Sequence, residues 1–167
     1  MDIIYREVEI SDALSLVNFL KTVGDETDNL SFSGDSLKLT LEAEEGFIKR
    51  FKSNKKNIML VAEFNGEIVG NASIERNRTP RFAHRAELSI VVKRDFWGKG
   101  IGSRFMEHLI SFAKESGVEI LYLEARRDNV RAINLYKKFG FESIGVYKNF
   151  FKINNNYFDA ELMLRKI

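Results

Sequence analysis

The sequence predicts a mixed α/β fold on one central twisted sheet flanked by helices, and three observations carry that expectation. Segments of strand character and segments of helical spacing follow one another in the order βααβββαβαββ along the 167 residues. The pair Asn65-Gly66 stands between two apolar runs and suits the positive φ angles of a type I′ turn, so the middle of the chain forms an antiparallel hairpin. A glycine-rich turn, Gly98-Lys99-Gly100-Ile101-Gly102, joins a strand to an amphipathic helix that leads into another strand, which makes a right-handed βαβ crossover. The length fits one unit of ~100–200 residues, so residues 1–167 are read as a single domain, without linker or repeat.

In chain order, β-branched residues in 2–8 predict a first strand. Ser11 and Asp12 offer caps to a helix whose Leu14, Val17, Phe19 and Leu20 recur at helical spacing and which ends near Gly24. The polar stretch 24–36 reads as an exposed loop, and a second helix runs through Leu41, Phe47, Ile48 and Phe51. The hairpin strands are 57–64 and 67–75, and Leu88, Ile90 and Val92 alternate in a third strand, 85–93. Ile101, Phe105, Leu109 and Ala113 form one helical stripe closed by Gly117, and 118–125 is a buried strand. Asp128 caps a helix through Ala132, Ile133, Leu135, Tyr136 and Phe139 that stops at Gly140. A last hairpin, 141–151 and 157–164, turns at Asn154-Asn155-Asn156.

Composition narrows the function classes. Lys and Arg number 26 against 24 Asp and Glu, and a net charge of +2 is too small for a nucleic-acid reader that must neutralise many phosphates. Zero Cys removes thiol nucleophiles, thiolate zinc sites and disulfides, calls for no metal, and points to a cytoplasmic setting. No apolar run approaches the ~18 residues of a membrane span, so no membrane partner is expected.

The glycine turn is the first functional signal. Three glycines let backbone approach a ligand, and the helix they open presents unpaired N–H groups and a positive dipole end, which suits a phosphate or pyrophosphate. The loop matches neither a Walker A sequence nor Gly-x-Gly-x-x-Gly. Glu124 imitates the ribose-binding acid of a nicotinamide-linked oxidoreductase, but too little chain follows for a second half-sheet.

Two stretches carry a resemblance. Val92-Lys93-Arg94-Asp95-Phe96-Trp97-Gly98-Lys99-Gly100-Ile101-Gly102 resembles the pyrophosphate motif of the GNAT superfamily of acetyl-CoA-dependent N-acetyltransferases. Asp128-Asn129-x-x-Ala132-Ile133-x-Leu135-Tyr136-x-Lys138-x-Gly140-Phe141 resembles the segment with which that family contacts the coenzyme A arm and places a catalytic tyrosine. The resemblance covers nearly the whole chain and implies a GNAT-like fold with acetyl-CoA as cosubstrate. Its implied coenzyme contacts are Ile90, Val91, Val92, Trp97, Gly98, Lys99, Gly100, Ile101, Gly102, Ser103, Asn129, Ala132 and Tyr136, with an oxyanion donor among Ile90 to Val92. Where the family commonly has Gln or Arg this chain has Trp97, which shifts anion binding onto backbone N–H groups, Lys99 and Arg104. The segment 84–92 and Tyr157-x-Asp159-x-x-x-Met163 are similar to members that acetylate amino acids or other small amines.

Amide formation from a thioester needs a neutral amine, a donor to the developing oxyanion and a proton for the departing thiolate. The resemblance assigns that proton to Tyr136. Glu87, facing opposite Leu88, is the candidate base, with Glu124 and His84 as alternatives, and His108 reads as structural. Phe32, Phe82, Tyr147, Phe150 and Phe151 either line an acceptor pocket or pack under loops. The expected function is acetyl transfer from acetyl-CoA to the primary amine of a small molecule such as an amino acid. The alternatives are a protein or peptide N-terminal acetyltransferase, which needs an open groove between loop 24–36 and the last hairpin, and a non-catalytic coenzyme A sensor. A homodimer is compatible with the sequence.

Overall fold

The computed structural model describes residues 1–167. Its core is a seven-stranded sheet in the order β1-β2-β3-β4-β5-β7-β6. The strands β1 (Ile4–Glu7), β2 (Ile58–Phe64), β3 (Glu67–Arg76) and β4 (Arg85–Val92) pair antiparallel in turn. Strand β5 (Ile120–Arg126) lies parallel to β4, and the terminal hairpin of β6 (Glu142–Ile153) and β7 (Asn156–Lys166) joins it through β7. Helices α1 (Ala13–Glu26) and α2 (Leu41–Lys52) cover one face, and α3 (Ile101–Glu115) and α4 (Val130–Lys138) the other. This is the predicted order, with short 3-10 turns added at 10–12, 80–82 and 94–96.

Strand alternation splits the core between the faces: Leu60 and Ala62 pack under α3, whereas Met59 and Val61 pack under α1 and α2. The predicted α3 stripe holds, with Ile101, Phe105, Leu109 and Ala113 almost wholly buried. Burial of each of the larger ones contributes about 1.5–3 kcal/mol. Asn65 and Gly66 both take positive φ, 51° and 81°, as the I′ turn requires.

Three local expectations change. Helix α1 runs past Gly24 to Glu26, because Gly24 is where the following loop packs on the helix; a Cβ there would meet the Gly34 nitrogen at 2.6 Å. Its apolar face is Ala13, Leu16, Val17, Phe19 and Val23, and Leu14 points to solvent. The cap of α4 is Asn129, whose side-chain oxygen accepts the Ala132 N–H at 3.3 Å; Asp128 instead binds both ends of the Arg126 guanidinium, at 2.7 and 2.8 Å.

One feature of the sheet positions the site. β4 and β5 pair only at Arg85↔Ile120, Ala86↔Leu121 and Glu87↔Tyr122, although β4 continues to Val92 and β5 to Arg126. Beyond Glu87 the parallel neighbours part.

Candidate active site

The parting of β4 and β5 opens a cleft of about 720 Å³. Alternation along the β3–β4 ladder decides which backbone groups of β4 face it. Lys93 donates its N–H to the Val69 carbonyl at 3.0 Å, so Val91, two residues back, also turns its N–H to β3. The N–H groups of Ile90 and Val92 therefore point toward the gap. Of the three expected oxyanion donors these two remain available, whereas Val91 contributes only its side chain to the wall. The Val92 carbonyl, on the gap side as well, accepts from Trp97 Nε1 at 2.7 Å.

Across the mouth stands the N-terminus of α3. Arg104 makes the first helical bond, to the Gly100 carbonyl at 3.0 Å, and the N–H groups of Gly98, Lys99, Gly100, Ile101, Gly102 and Ser103 find no backbone acceptor. Trp97, expected to contribute as well, donates its own N–H to the Arg94 carbonyl. Gly98 and Gly100 sit at φ 75° and 84° with open space around them, so backbone twist rather than crowding selects glycine. Consecutive free amides at a helix start form an anion cradle.

The side chains around that cradle differ from the expectation. Lys99 is off the cleft wall, with its ammonium 4.7 Å from the centre of the Phe96 ring, and Arg104 pairs with Glu107 at 2.7 Å. The cation on the wall is Arg131, stacked 4.1 Å from the centre of the Trp97 ring. Sequence reasoning passed over Arg131 because the pair joins α4 to the turn before α3, far apart in the chain. It forms where α3 and α4 touch, at Gly102, whose Cβ would come within 2.9 Å of Leu135.

The remaining predicted residues divide between the two sides of the sheet. Ile101, Ser103, Asn129, Ala132 and Tyr136 line the cleft on the α3–α4 side. Asn129 spends its oxygen on the cap and keeps its amide hydrogens for the cleft. Tyr136 packs its ring on Phe141, centroids 5.9 Å apart, and burial pushes its phenol up to about 12. On the opposite side lie Glu87, Ser89, Val91 and Glu124, with Phe32, Phe150 and Phe151. Glu87 is held above the usual carboxylate range, first by burial and then by the charges of Glu124 and Glu75. His84, Phe82 and Tyr147 lie off the cleft wall. His108 tilts against Tyr5, ring centres 5.8 Å apart, in keeping with a structural role.

The loop after α1 spans this cleft and is fastened on both banks. Glu26 accepts the Arg94 N–H at 2.8 Å beside β4, and Arg126 at the end of β5 donates to the Asp28 carbonyl at 3.1 Å.

A mixed sheet that parts beside a run of unpaired helix-start amides is an α/β arrangement with one strand opened along a cleft. The chain belongs to the acetyltransferase (GNAT) family, whose model matches residues 26–141. It is 35% identical over 107 residues to the L-amino acid N-acetyltransferase AaaT of Escherichia coli, covering 64% of this chain and 66% of that one. It is 35% identical over 105 residues to the N-alpha-acetyltransferase RimI of Mycobacterium tuberculosis, covering 62% and 63%. The chain thus matches just under two thirds of the length of these curated relatives. The crystal structure of a GNAT-family acetyltransferase from Streptococcus pneumoniae superposes with a TM-score of 0.94 at 35% identity, covering 99% of both chains.

Proposed function

We propose that residues 1–167 act as one catalytic domain that transfers acetyl from acetyl-CoA to a primary amine. The observation that carries this reading is the pairing of the free amides from Gly98 to Ser103 with the unpaired N–H groups of Ile90 and Val92 in one cleft. The first set suits the coenzyme's diphosphate, with Arg131 beside it; the second suits an extended arm and the thioester oxygen. Asn129 donates to the same arm.

The acceptor approaches from the side of Glu87. An amine titrating near ~8–10 arrives mostly protonated, and Glu87, with its carboxyl raised, takes that proton directly or through one water. The nitrogen lone pair attacks the thioester carbon, the C–N bond forms, and the negative charge on oxygen is met by the Ile90 or Val92 N–H. Collapse breaks the C–S bond and returns the electron pair to sulfur. Tyr136, protonated at every physiological pH, gives its proton to the departing thiolate, and the second proton shed by the nitrogen as it becomes an amide returns to the phenolate through water, so the coenzyme leaves as the free thiol.

The relatives' names span two acceptor classes, L-amino acids and the alanine of a ribosomal protein. Incubation with acetyl-CoA and a panel of amino acids, polyamines and peptides, with free thiol followed against time, tests the reading. Amine-dependent thiol release is expected; binding of acetyl-CoA without release for any amine supports a sensor instead. A homodimer remains part of the proposal, with exposed Tyr147 and Tyr157 on the terminal hairpin as its surface, and light scattering tests it. A cytoplasmic setting is likewise proposed, from the zero Cys.

A further inference from the structure

Helix α2 buries one stripe, Glu44, Ile48 and Phe51, and a carboxylate stands in it where helical spacing calls for an apolar side chain. Glu44 is 4% exposed, and its carboxyl is raised by burial alone, with no hydrogen bond and no neighbouring charge contributing. A buried acid without a donor is a cost to the fold. Acetyl transfer in the cleft makes no use of it.

Glu44 lines a second cavity, of about 380 Å³, enclosed by α1, α2 and the β2–β3 hairpin. It shares no wall residue with the cleft. The volume falls within the ~300–1,000 Å³ of small-molecule sites, at the lower end. Leu16, Leu20, Leu39, Phe47 and Met59 make the wall apolar, and exposed Ala43 and Phe47 stand at its mouth. Asn71 gives its side-chain amide to the Leu60 carbonyl at 3.0 Å and keeps its oxygen for the cavity. Arg50 makes no ion pair and folds back along its own helix, with Nη1 3.3 Å from where a Gly46 Cβ would stand.

These groups state what a guest must bring. The polar atoms left without a partner on the wall, the Glu44 carboxyl and the Asn71 side-chain oxygen, are acceptors, so the guest supplies donors. An alcohol supplies a donor without charge, whereas an ammonium group supplies several together with the charge that offsets a buried carboxylate. The rest of such a molecule must be hydrocarbon, to match the leucines and Met59. Arg50 repels a second positive charge on the guest, which excludes a polyamine.

We propose that the cavity under α1 and α2 is a binding site for a small monoamine with an apolar body, its ammonium on Glu44 and its hydrocarbon against Leu16, Leu20 and Met59. The site is separate from the acceptor cleft and stands whether or not the cleft transfers acetyl. Hexylamine is the probe, compared with hexanol, hexanoate and spermidine by calorimetry and by the methyl NMR signals of Leu16, Leu20, Leu39 and Met59, which report this cavity and not the cleft. Hexylamine should bind and shift those signals, with hexanol weaker by about tenfold and hexanoate and spermidine weaker still. Glu44→Gln keeps the shape and removes the charge, and should weaken hexylamine by about tenfold in a folded protein. Ala43→Trp fills the mouth and should block the probe, whereas Glu87→Gln, on the cleft wall, should leave it bound. Hexanol as tight as hexylamine, or an unchanged affinity in Glu44→Gln, overturns the role of the carboxylate. Spermidine as tight as hexylamine overturns the monoamine assignment. Binding that leaves the four methyl signals fixed, or that survives Ala43→Trp but not Glu87→Gln, places the amine in the cleft and overturns the site, as does no binding at all.

Discussion

Arg131, from α4, holds its guanidinium carbon 4.1 Å from the centre of the Trp97 ring, and that indole is fixed in turn by its 2.7 Å bond to the Val92 carbonyl. Arg94 approaches the same ring at 5.9 Å. Trp97 therefore acts as the seat of a cation supplied from α4, next to the amides that open α3. Replacement Arg131→Met keeps the stem and removes the charge. Acetyl-CoA affinity should fall about tenfold, as expected for one charge-assisted contact to a phosphate, and the salt dependence of binding should flatten. Calorimetry at two ionic strengths checks this; an unchanged slope would give the role back to the backbone.

Gly100 and Gly102 should respond differently. Gly100→Ala places a Cβ in open space at φ 84°, a strain of about 1–2 kcal/mol that the loop relieves by shifting its amides. Coenzyme affinity should drop at least as far as in Arg131→Met, with the melting temperature nearly kept. Gly102→Val drives a side chain into Leu135 and should cost stability as well, so the pair of melting curves separates a binding glycine from a packing one.

Tyr136→Phe keeps the ring against Phe141 and deletes the donor. We expect kcat to fall about 10²-fold with the melting temperature unchanged. Since burial holds the phenol at about 12, the wild-type profile should show no loss of activity from tyrosine ionisation across the ordinary alkaline range. An alkaline limb abolished by Tyr136→Phe would contradict that environment.

The acid limb of kcat/KM should report Glu87, active as its carboxylate. Its carboxyl is raised by burial and by two neighbouring charges, so activity should be lost, as pH falls, above the usual carboxylate range. Glu124→Gln removes one of those charges, lowers the Glu87 carboxyl and should move the limb to lower pH. Movement the other way, or none, would assign the limb to another group.

Glu44 is 4% exposed, and burial alone raises its carboxyl. The folded state therefore keeps that proton at pH values where the unfolded chain has lost it. The resulting penalty is absent below the ordinary carboxylate range, grows as pH rises toward the raised folded value, and is complete beyond it. Glu44→Gln should stabilise the protein near neutral pH by about 1 kcal/mol, or ~2–4 °C for a chain of this size, and give no gain below about pH 4. Thermal melts across pH follow it.

Helices, hairpins and the cradle were legible because each is written in local chemistry: Asn65-Gly66 in its turn, Ile101 to Ala113 in one stripe, Gly98 and Gly100 where φ turns positive. What escaped depends on pairs distant in sequence. Gly24 reads as a terminator until Gly34 packs against it, and Arg131 reads as a surface charge until Trp97 lies beneath it. The choice of Ile90 and Val92 over Val91 depends on the phase of the β3–β4 ladder, set by Lys93 and Val69. The acidic character of the acceptor side needs Glu87 and Glu124 brought together from two strands, which their separate positions in the chain do not announce.

The parting of β4 from β5 leaves β4 with an exposed margin in the middle of the sheet rather than at its border. Margins of this kind invite a foreign strand to add itself, which is how many proteins aggregate. Here the invitation is addressed to narrow guests. The α1–α2 loop, fastened at Glu26 and at Asp28, bridges the opening, and the start of α3 closes one end. A whole β-sheet from another molecule is too broad to enter, while a single slender chain bearing amides can lie along Ile90 and Val92. The opening proposed to receive the ligand is thus screened against self-association through β4, and mutations that detach the loop, such as Glu26→Ala, should bring insolubility along with weaker acetyl-CoA binding.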